Sequence, residues 1–249
     1  MANTAFLFVP GAWCPGFYNH KVTDKLQALG YHAVYVDLPS SGKKDDAPGL
    51  QEDASHVRTH AAAILDSGSN LVIAGNSYGA FVAQEACEGL TKASRPDGSH
   101  VCHIVIIASF FARKGQTMKD LVDGQVPIPE DNEWLEAPPG DAAYKAFFSS
   151  LSEDEGLKYG NMLREQSTRA LVEPLTFAAW ETVPTTMVVA GKDLALKPQT
   201  QSESFEDAQK TGIKGLRKVV LADGEHVTML SSPDDIVDVC VGIAGVDAE

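Results

Sequence analysis

The chain predicts an α/β fold: a doubly wound, mostly parallel β-sheet with helices on both faces, and a helical lid inserted between two strands. Three observations carry this expectation. Short, β-rich apolar runs alternate with stretches of helical periodicity. Two of the runs, residues 71–74 (LVIA) and 101–108 (VCHIVIIA), are almost wholly apolar, as suits parallel strands covered on both faces. The alternation lapses once, between residues 110 and 183, and resumes after Pro184. With 249 residues, 44% of them apolar, one domain spanning residues 1–249 can bury a sizeable core.

The first strand is expected at residues 5–9 (AFLFV), followed by a helix over 17–29 with Gly30 just past its end. Residues 32–38, rich in Val and Tyr, read as the second strand. A polar loop with Gly and Pro covers 39–48, and a helix covers 50–65. Residues 71–74 form a buried strand, 77–90 a helix and 101–108 another strand. Between 110 and 183 no convincing strand is visible, and Pro127, Pro129, Pro138, Pro139 and Gly140 break the pattern. Helical patterns there lie at 142–150, 153–163 and 169–180, and residues 112–183 are expected to form the lid. A strand at 186–190, a helix at 201–211, a strand at 216–221 and a helix at 234–243 complete the chain. No internal repeat or low-complexity segment is visible.

Charge and cysteine usage narrow the function classes. The formal net charge is −14. Such a surface repels nucleic acid and anionic lipid, so neither is expected as a partner. The four cysteines, Cys14, Cys87, Cys102 and Cys240, lie far apart among apolar neighbours and read as buried thiols. Residues 1–4 lead directly into a strand without the pattern of a signal peptide, and no apolar run is long enough to span a bilayer. A cytoplasmic monomer or homodimer is the expectation.

The chemistry is concentrated around Ser77. The sequence from Leu71 to Ala80 reads strand, then Gly75–Asn76–Ser77–Tyr78–Gly79, then helix. This is G-x-S-x-G in the context of a nucleophile elbow, where small residues let strand and helix approach and the serine points out of the sheet edge. A serine hydroxyl needs a base. Of the seven histidines, His226 is the best placed, in a loop after the last strand, where catalytic groups of open α/β sheets gather. His56 and His60, four apart on a helix, have no third ligand in register, so no metal is expected. Asp193, after the strand at 186–190, is the favoured orienting carboxylate. Asp223 and Asp37 are its rivals, the first expected to shape a turn and the second to hydrogen-bond within the loop it opens, residues 37–42. Two N–H donors are expected to hold an oxyanion: Tyr78, after the nucleophile, and Ala12, in the loop after the first strand. Trp13 and Phe17 either line the site or are core aromatics.

Over nearly its whole length the chain resembles the α/β-hydrolase superfamily, and within it the small cofactor-free group of methylesterases, hydroxynitrile lyases and related microbial hydrolases. The resemblance rests on Phe8–Val9–Pro10–Gly11–Ala12–Trp13, on Val36–Asp37–Leu38–Pro39–Ser40–Ser41–Gly42, on the elbow, on Ala190–Gly191–Lys192–Asp193, and on the run from His226 to Pro233. The order Ser77, Asp193, His226 matches that superfamily. The resemblance implies a serine mechanism needing neither metal nor organic cofactor. Pro10 and Asn76 stand where the family usually has histidine. Val227 and Gly11 stand where related hydroxynitrile lyases carry lysine and threonine, which favours ester hydrolysis over cyanohydrin cleavage.

The expected substrate is a small carboxylic ester or lactone with a hydrophobic or aromatic part. Trp13, Phe17, Phe110, Trp134, Trp180 and Val227 are the expected substrate-binding residues. Tyr144, Phe147, Phe148, Leu163 and Phe177 add to the apolar stock of the lid. Its acidic residues, Glu130, Asp131, Glu133, Glu153, Asp154 and Glu155, disfavour a polyanionic substrate. Two other classes stay open: a lyase, cyclase or C–C bond-cleaving enzyme using the same triad, and a ligand-binding receptor on the same scaffold.

Overall fold

Alternation along the strands builds the core. In a computed structural model, which describes residues 4–44, 46–129 and 131–246, β1 (Thr4–Val9) sends Ala5, Leu7 and Val9 to one face and Phe6 and Phe8 to the other. β3 (Asn70–Asn76) and β4 (Val101–Ile107) divide their apolar residues in the same way. Six strands form one sheet in the order β2-β1-β3-β4-β7-β8, every neighbouring pair parallel. β2 is His32–Tyr35, β7 is Thr185–Ala190 and β8 is Leu216–Leu221. One face is covered by α2 (Leu50–Asp66), α3 (Tyr78–Ala86) and α8 (Pro198–Gln209), through side chains such as Val57, Phe81 and Phe205. The other is covered by α1 (His20–Ala28) and α10 (Pro233–Val246), through Val22, Leu26, Ile236 and Cys240. Glu130, one of the acidic residues noted above, lies outside the described residues.

The strand order locates the site. The chain runs from β1 outward to β2, then returns to place β3 on the opposite side of β1. The reversal falls between β1 and β3, whose ends meet at Val9 and Gly75. Ligands of open α/β sheets sit at the carboxyl ends of strands beside such a reversal. Ala12 and Trp13 follow β1 there, and Ser77 follows β3.

Between β4 and β7 the chain forms α4 (Met118–Leu121), β5 (Trp134–Leu135), α5 (Gly140–Phe147), α6 (Glu153–Gly160), β6 (Gln166–Ser167) and α7 (Thr168–Val172). Several expectations are corrected, in this segment and elsewhere along the chain. β5 and β6 pair antiparallel in a segment where no strand was expected. They are two residues long, too short to leave a periodicity. The helix expected over 169–180 is divided into α7 and a 3-10 turn, Ala179–Glu181, because Glu173 precedes Pro174 and is held extended at ψ 136°. The helix expected from residue 17 is also divided: Gly16–Asn19 is a 3-10 turn ahead of α1. β2 ends at Tyr35, three residues before the expected limit, and a short helix α9 (Thr228–Ser231) precedes α10. Among the described residues no helix is long and apolar enough to cross a membrane.

Candidate active site

Ser77 occupies a strained turn. Its φ is 52° and ψ −123°, in the region that L-residues avoid. Two neighbouring glycines make the turn possible. A Cβ on Gly75 would lie 2.3 Å from the Gly79 carbonyl oxygen. A Cβ on Gly79 would lie 2.4 Å from the carbonyl oxygens of Val9 and Pro10, so glycine there lets α3 press against the end of β1. The turn is pinned by hydrogen bonds from Ser77 N–H to Ile107 O (2.9 Å) and from Ser109 Oγ to Ser77 O (2.8 Å). Tyr78 opens α3, so its N–H has no partner within the helix. Gly11 approaches from the other side: a Cβ there would lie 3.3 Å from Ser77 Cβ and 3.2 Å from Asn76 Oδ1. The loop carrying Ala12 is thereby laid directly against the serine.

His226 Nδ1 lies 2.8 Å from Asp193 Oδ2, and both residues are buried. Asp193 is itself fixed on several sides. Its Oδ1 accepts the N–H groups of Ala195 and Leu196, each at 2.8 Å, and its Oδ2 also accepts Gln201 Nε2 at 2.9 Å. Gln201, wholly buried on α8, takes the Ala190 N–H with its Oε1 and so spans β7 and the Asp193 loop. The histidine loop is held from below by Asn76, whose Nδ2 donates to His226 O at 2.8 Å. The position before Ser77 therefore braces the histidine backbone.

Ser77, Tyr78, Ala12, Trp13 and His226 line one cavity of about 300 Å³. The insertion contributes Met118, Val122, Val126, Ile128 and Phe147 to its wall. Leu194 and Leu196, from the Asp193 loop, complete it. The Phe147 ring lies 5.4 Å from the His226 ring. Among the described residues, apart from Ser77, Tyr78, Trp13 and His226, the only lining side chain with a hydrogen-bonding group is Gln125. Its Oε1 accepts the Lys197 N–H at 2.9 Å. Among the described residues no lysine or arginine lines the cavity.

Several residues expected at the site lie elsewhere. Phe17 is 41% exposed and stacks on His20. Phe110 is core and borders a different, polar groove together with Arg113 and Glu203. Trp134 is buried in β5, away from this cavity. Trp180 packs edge-on against Phe111 and donates Nε1–H to Ala112 O at 2.7 Å, so it is a core anchor. Val227, though next to His226, is 1% exposed and points into the α1–α10 layer. Of the insertion aromatics only Phe147 reaches the wall. Of the rival carboxylates, Asp223 is exposed and pairs with Lys192 at 2.6 Å. Asp37 accepts the Gly16 N–H at 2.7 Å and pairs with Arg164 at 3.3 Å. Its main bond thus ties it to the turn before α1, and the loop after it is held instead by Asp53 through Ser40. His56 and His60 touch one another, and no group of three or more metal-ligating side chains occurs among the described residues.

A parallel sheet with helices on both faces, a serine in a strained strand-to-helix turn, and a histidine bonded to a carboxylate at neighbouring strand ends define the α/β-hydrolase class. The chain belongs to the alpha/beta hydrolase family, whose model matches residues 6–239, and hydrolysis is the reaction class that membership assigns. It is similar to the alpha/beta hydrolase nvfD of Aspergillus novofumigatus (strain IBT 16806), 23% identical over 98% of each chain. It is also similar to the probable hydrolase R7 of Phoma sp. (strain ATCC 20986 / MF5453), 26% identical over 99% of this chain and 100% of that one. Among solved structures, the methylesterase MES16 from Arabidopsis superposes with a TM-score of 0.76 at 17% identity, covering 98% of this chain and 100% of that one. Polyneuridine aldehyde esterase superposes with a TM-score of 0.74 at 16% identity, covering 98% and 100%.

Proposed function

We propose that the chain is a serine hydrolase of a neutral carboxylic ester or lactone, with Ser77 as nucleophile, His226 as general base and Asp193 as its orienting carboxylate. The observation that carries this reading is the 2.8 Å contact between His226 Nδ1 and Asp193 Oδ2, in a cavity that His226 shares with Ser77. Asp193 at Nδ1 leaves Nε2 to take the Ser77 proton as Oγ attacks the carbonyl. The developing oxyanion is held by the N–H groups of Ala12 and Tyr78. His226 then protonates the leaving alcohol, and water, deprotonated by the same ring, releases the acid. Residues 112–183 act as the lid that walls the apolar part of the substrate. The wall's apolar side chains, with no lysine or arginine among its described residues, favour an aliphatic or aromatic acyl or alkyl group without a negative charge.

The test is labelling with a fluorophosphonate probe, with the modified residue mapped by mass spectrometry. Label on Ser77 is expected, together with loss of p-nitrophenyl acetate hydrolysis in a folded Ser77→Ala variant. Asp193→Asn should lower kcat by about four orders of magnitude without unfolding the protein. A folded Ser77→Ala protein with wild-type kcat would exclude this mechanism.

A further inference from the structure

The two loops that carry the Ala12 and Tyr78 N–H groups are joined a second time, behind the cavity, by buried side chains that the triad does not use. Asp53 on α2 is wholly buried. Its Oδ2 accepts Tyr78 O–H at 2.7 Å and Ser40 Oγ–H at 2.5 Å, and its Oδ1 accepts Ser40 N–H at 2.9 Å. Ser40 Oγ in turn accepts Gln166 Nε2–H at 2.8 Å. The oxygen of that amide, Gln166 Oε1, accepts the backbone N–H of Trp13 at 3.1 Å. Trp13, like Ser77, sits at positive φ (64°), and its carbonyl is held from the same side by Arg164 N–H at 2.9 Å. Tyr78, Ser40 and Gln166 are all wholly buried.

Every proton in this chain has one consistent place. Gln166 donates to Ser40 and Ser40 donates to Asp53. Tyr78 donates to Asp53 from the other end. The network runs unbroken from the residue after Ala12 to the side chain of Tyr78, through side chains from four separate segments. A strained residue holds its conformation only where its surroundings over-determine it. Here the surroundings are this network.

We infer that Asp53, Ser40 and Gln166 are positioning residues that set the spacing and direction of the two oxyanion-binding N–H groups. The inference rests on the serine-hydrolase reading above. It makes preorganisation of the oxyanion hole depend on α2, on the loop after β2 and on β6 of the insertion, through Asp53, Ser40 and Gln166, which are not among the residues lining the cavity. Donors fixed in advance act on the charge that develops in the transition state, so their misplacement falls on kcat and leaves ground-state binding nearly unchanged.

Tyr78→Phe removes one oxygen and leaves the Tyr78 backbone in place. Gln166→Met cuts the Trp13 end. Each variant is compared with wild type on p-nitrophenyl butyrate, and on inhibition by an alkyl trifluoromethyl ketone, whose Ser77 hemiketal oxyanion would sit in the hole. Inhibition by the matching methyl ketone reports ground-state binding. Expected is a fall in kcat of about tenfold to a hundredfold, with KM within about twofold. The trifluoromethyl ketone should weaken by the same factor and the methyl ketone should not. Should either protein fail to fold by circular dichroism, Ser40→Ala interrupts the network at its centre and is read by the same ratio. Wild-type kcat in the folded variants, or a reduced kcat with unchanged trifluoromethyl ketone affinity, overturns the inference. Fluorophosphonate labelling of wild-type Ser77 separates the two levels. Without label the serine reading itself fails; with label and an unmoved ketone affinity only the network's role fails.

Discussion

Asp53 is a buried carboxyl whose environment differs sharply from its ordinary one. Burial pushes its carboxyl up from 3.8 to about 6, against the opposing pull of the Ser40 and Tyr78 hydrogen bonds and the more distant Lys44 charge. Between about pH 4 and pH 6 the folded protein therefore binds more protons at this site than the unfolded chain does. Stability from this group is present below that window and is lost as pH rises through it. At about 1.4 kcal/mol per pH unit the full effect is about 3 kcal/mol. Asp53→Asn cannot ionise, so the difference in unfolding free energy between wild type and variant should fall by up to that amount between about pH 4 and pH 7. Urea titrations at the two pH values measure it, and a flat difference would mean that Asp53 titrates as an ordinary carboxyl. Ser77 is legible in the sequence because its turn is written in five consecutive residues. Asp53 is not, because its partners Ser40 and Tyr78 lie 13 and 25 positions away and nothing local marks it. Val227 is misread for a related reason: adjacency to His226 does not fix the direction of a side chain, and Val227 turns into the core. Cys14, Cys87 and Cys240 are the simple case, small apolar residues in apolar surroundings, with thiols pushed up to about 12 by burial.

At the scale of elements, two buried glutamates attach the insertion to the sheet domain. Glu85 on α3 accepts Thr176 N–H at 2.7 Å, Phe177 N–H at 3.0 Å and the Thr176 hydroxyl. Glu225, next to His226, accepts Ser150 N–H at 2.7 Å, Ser150 Oγ–H at 2.8 Å and the Ser149 hydroxyl. The second clamp sits just past α5, whose last residue, Phe147, lies against the His226 ring. Its loss should free that end of α5 while leaving the sheet untouched. In Glu225→Ala the Ser150 amide should exchange with solvent at least about tenfold faster, and amides of β3 and β4 should keep wild-type protection. Hydrogen exchange resolved to single residues tests this, and unchanged exchange at Ser150 would remove Glu225 as the clamp. The strands and long helices of the main domain are legible because period 2 and period 3.6 persist over several residues. The insertion is not: its strands are two residues long, its helices are short, and its course is set by side-chain-to-backbone bonds across 75 and 91 positions.

The whole molecule combines an excess of acidic residues with an apolar cavity that no lysine or arginine among the described residues lines. Its formal net charge is −14, from 34 acidic and 20 basic residues. An anionic ester is opposed twice, first by repulsion on approach and then by loss of its hydration against Met118, Val122, Ile128 and Leu194. Leu194, 69% exposed, extends the apolar wall outward to solvent. The two penalties respond differently to salt. Long-range repulsion is screened as the Debye length shrinks from about 30 Å at 0.01 M to about 8 Å at 0.15 M, whereas desolvation inside the cavity is not. For p-nitrophenyl butyrate, which is neutral, kcat/KM should change little across that range. For the p-nitrophenyl monoester of succinic acid, of similar length but with a terminal carboxylate, it should start at least about tenfold lower. It should rise with salt and still remain below the neutral ester at the highest ionic strength. Steady-state rates for both esters at matched pH decide the matter. An anionic ester turned over as fast as the neutral one at low salt would mean that a cation reaches the bound substrate, and would contradict the apolar wall as the basis of selection.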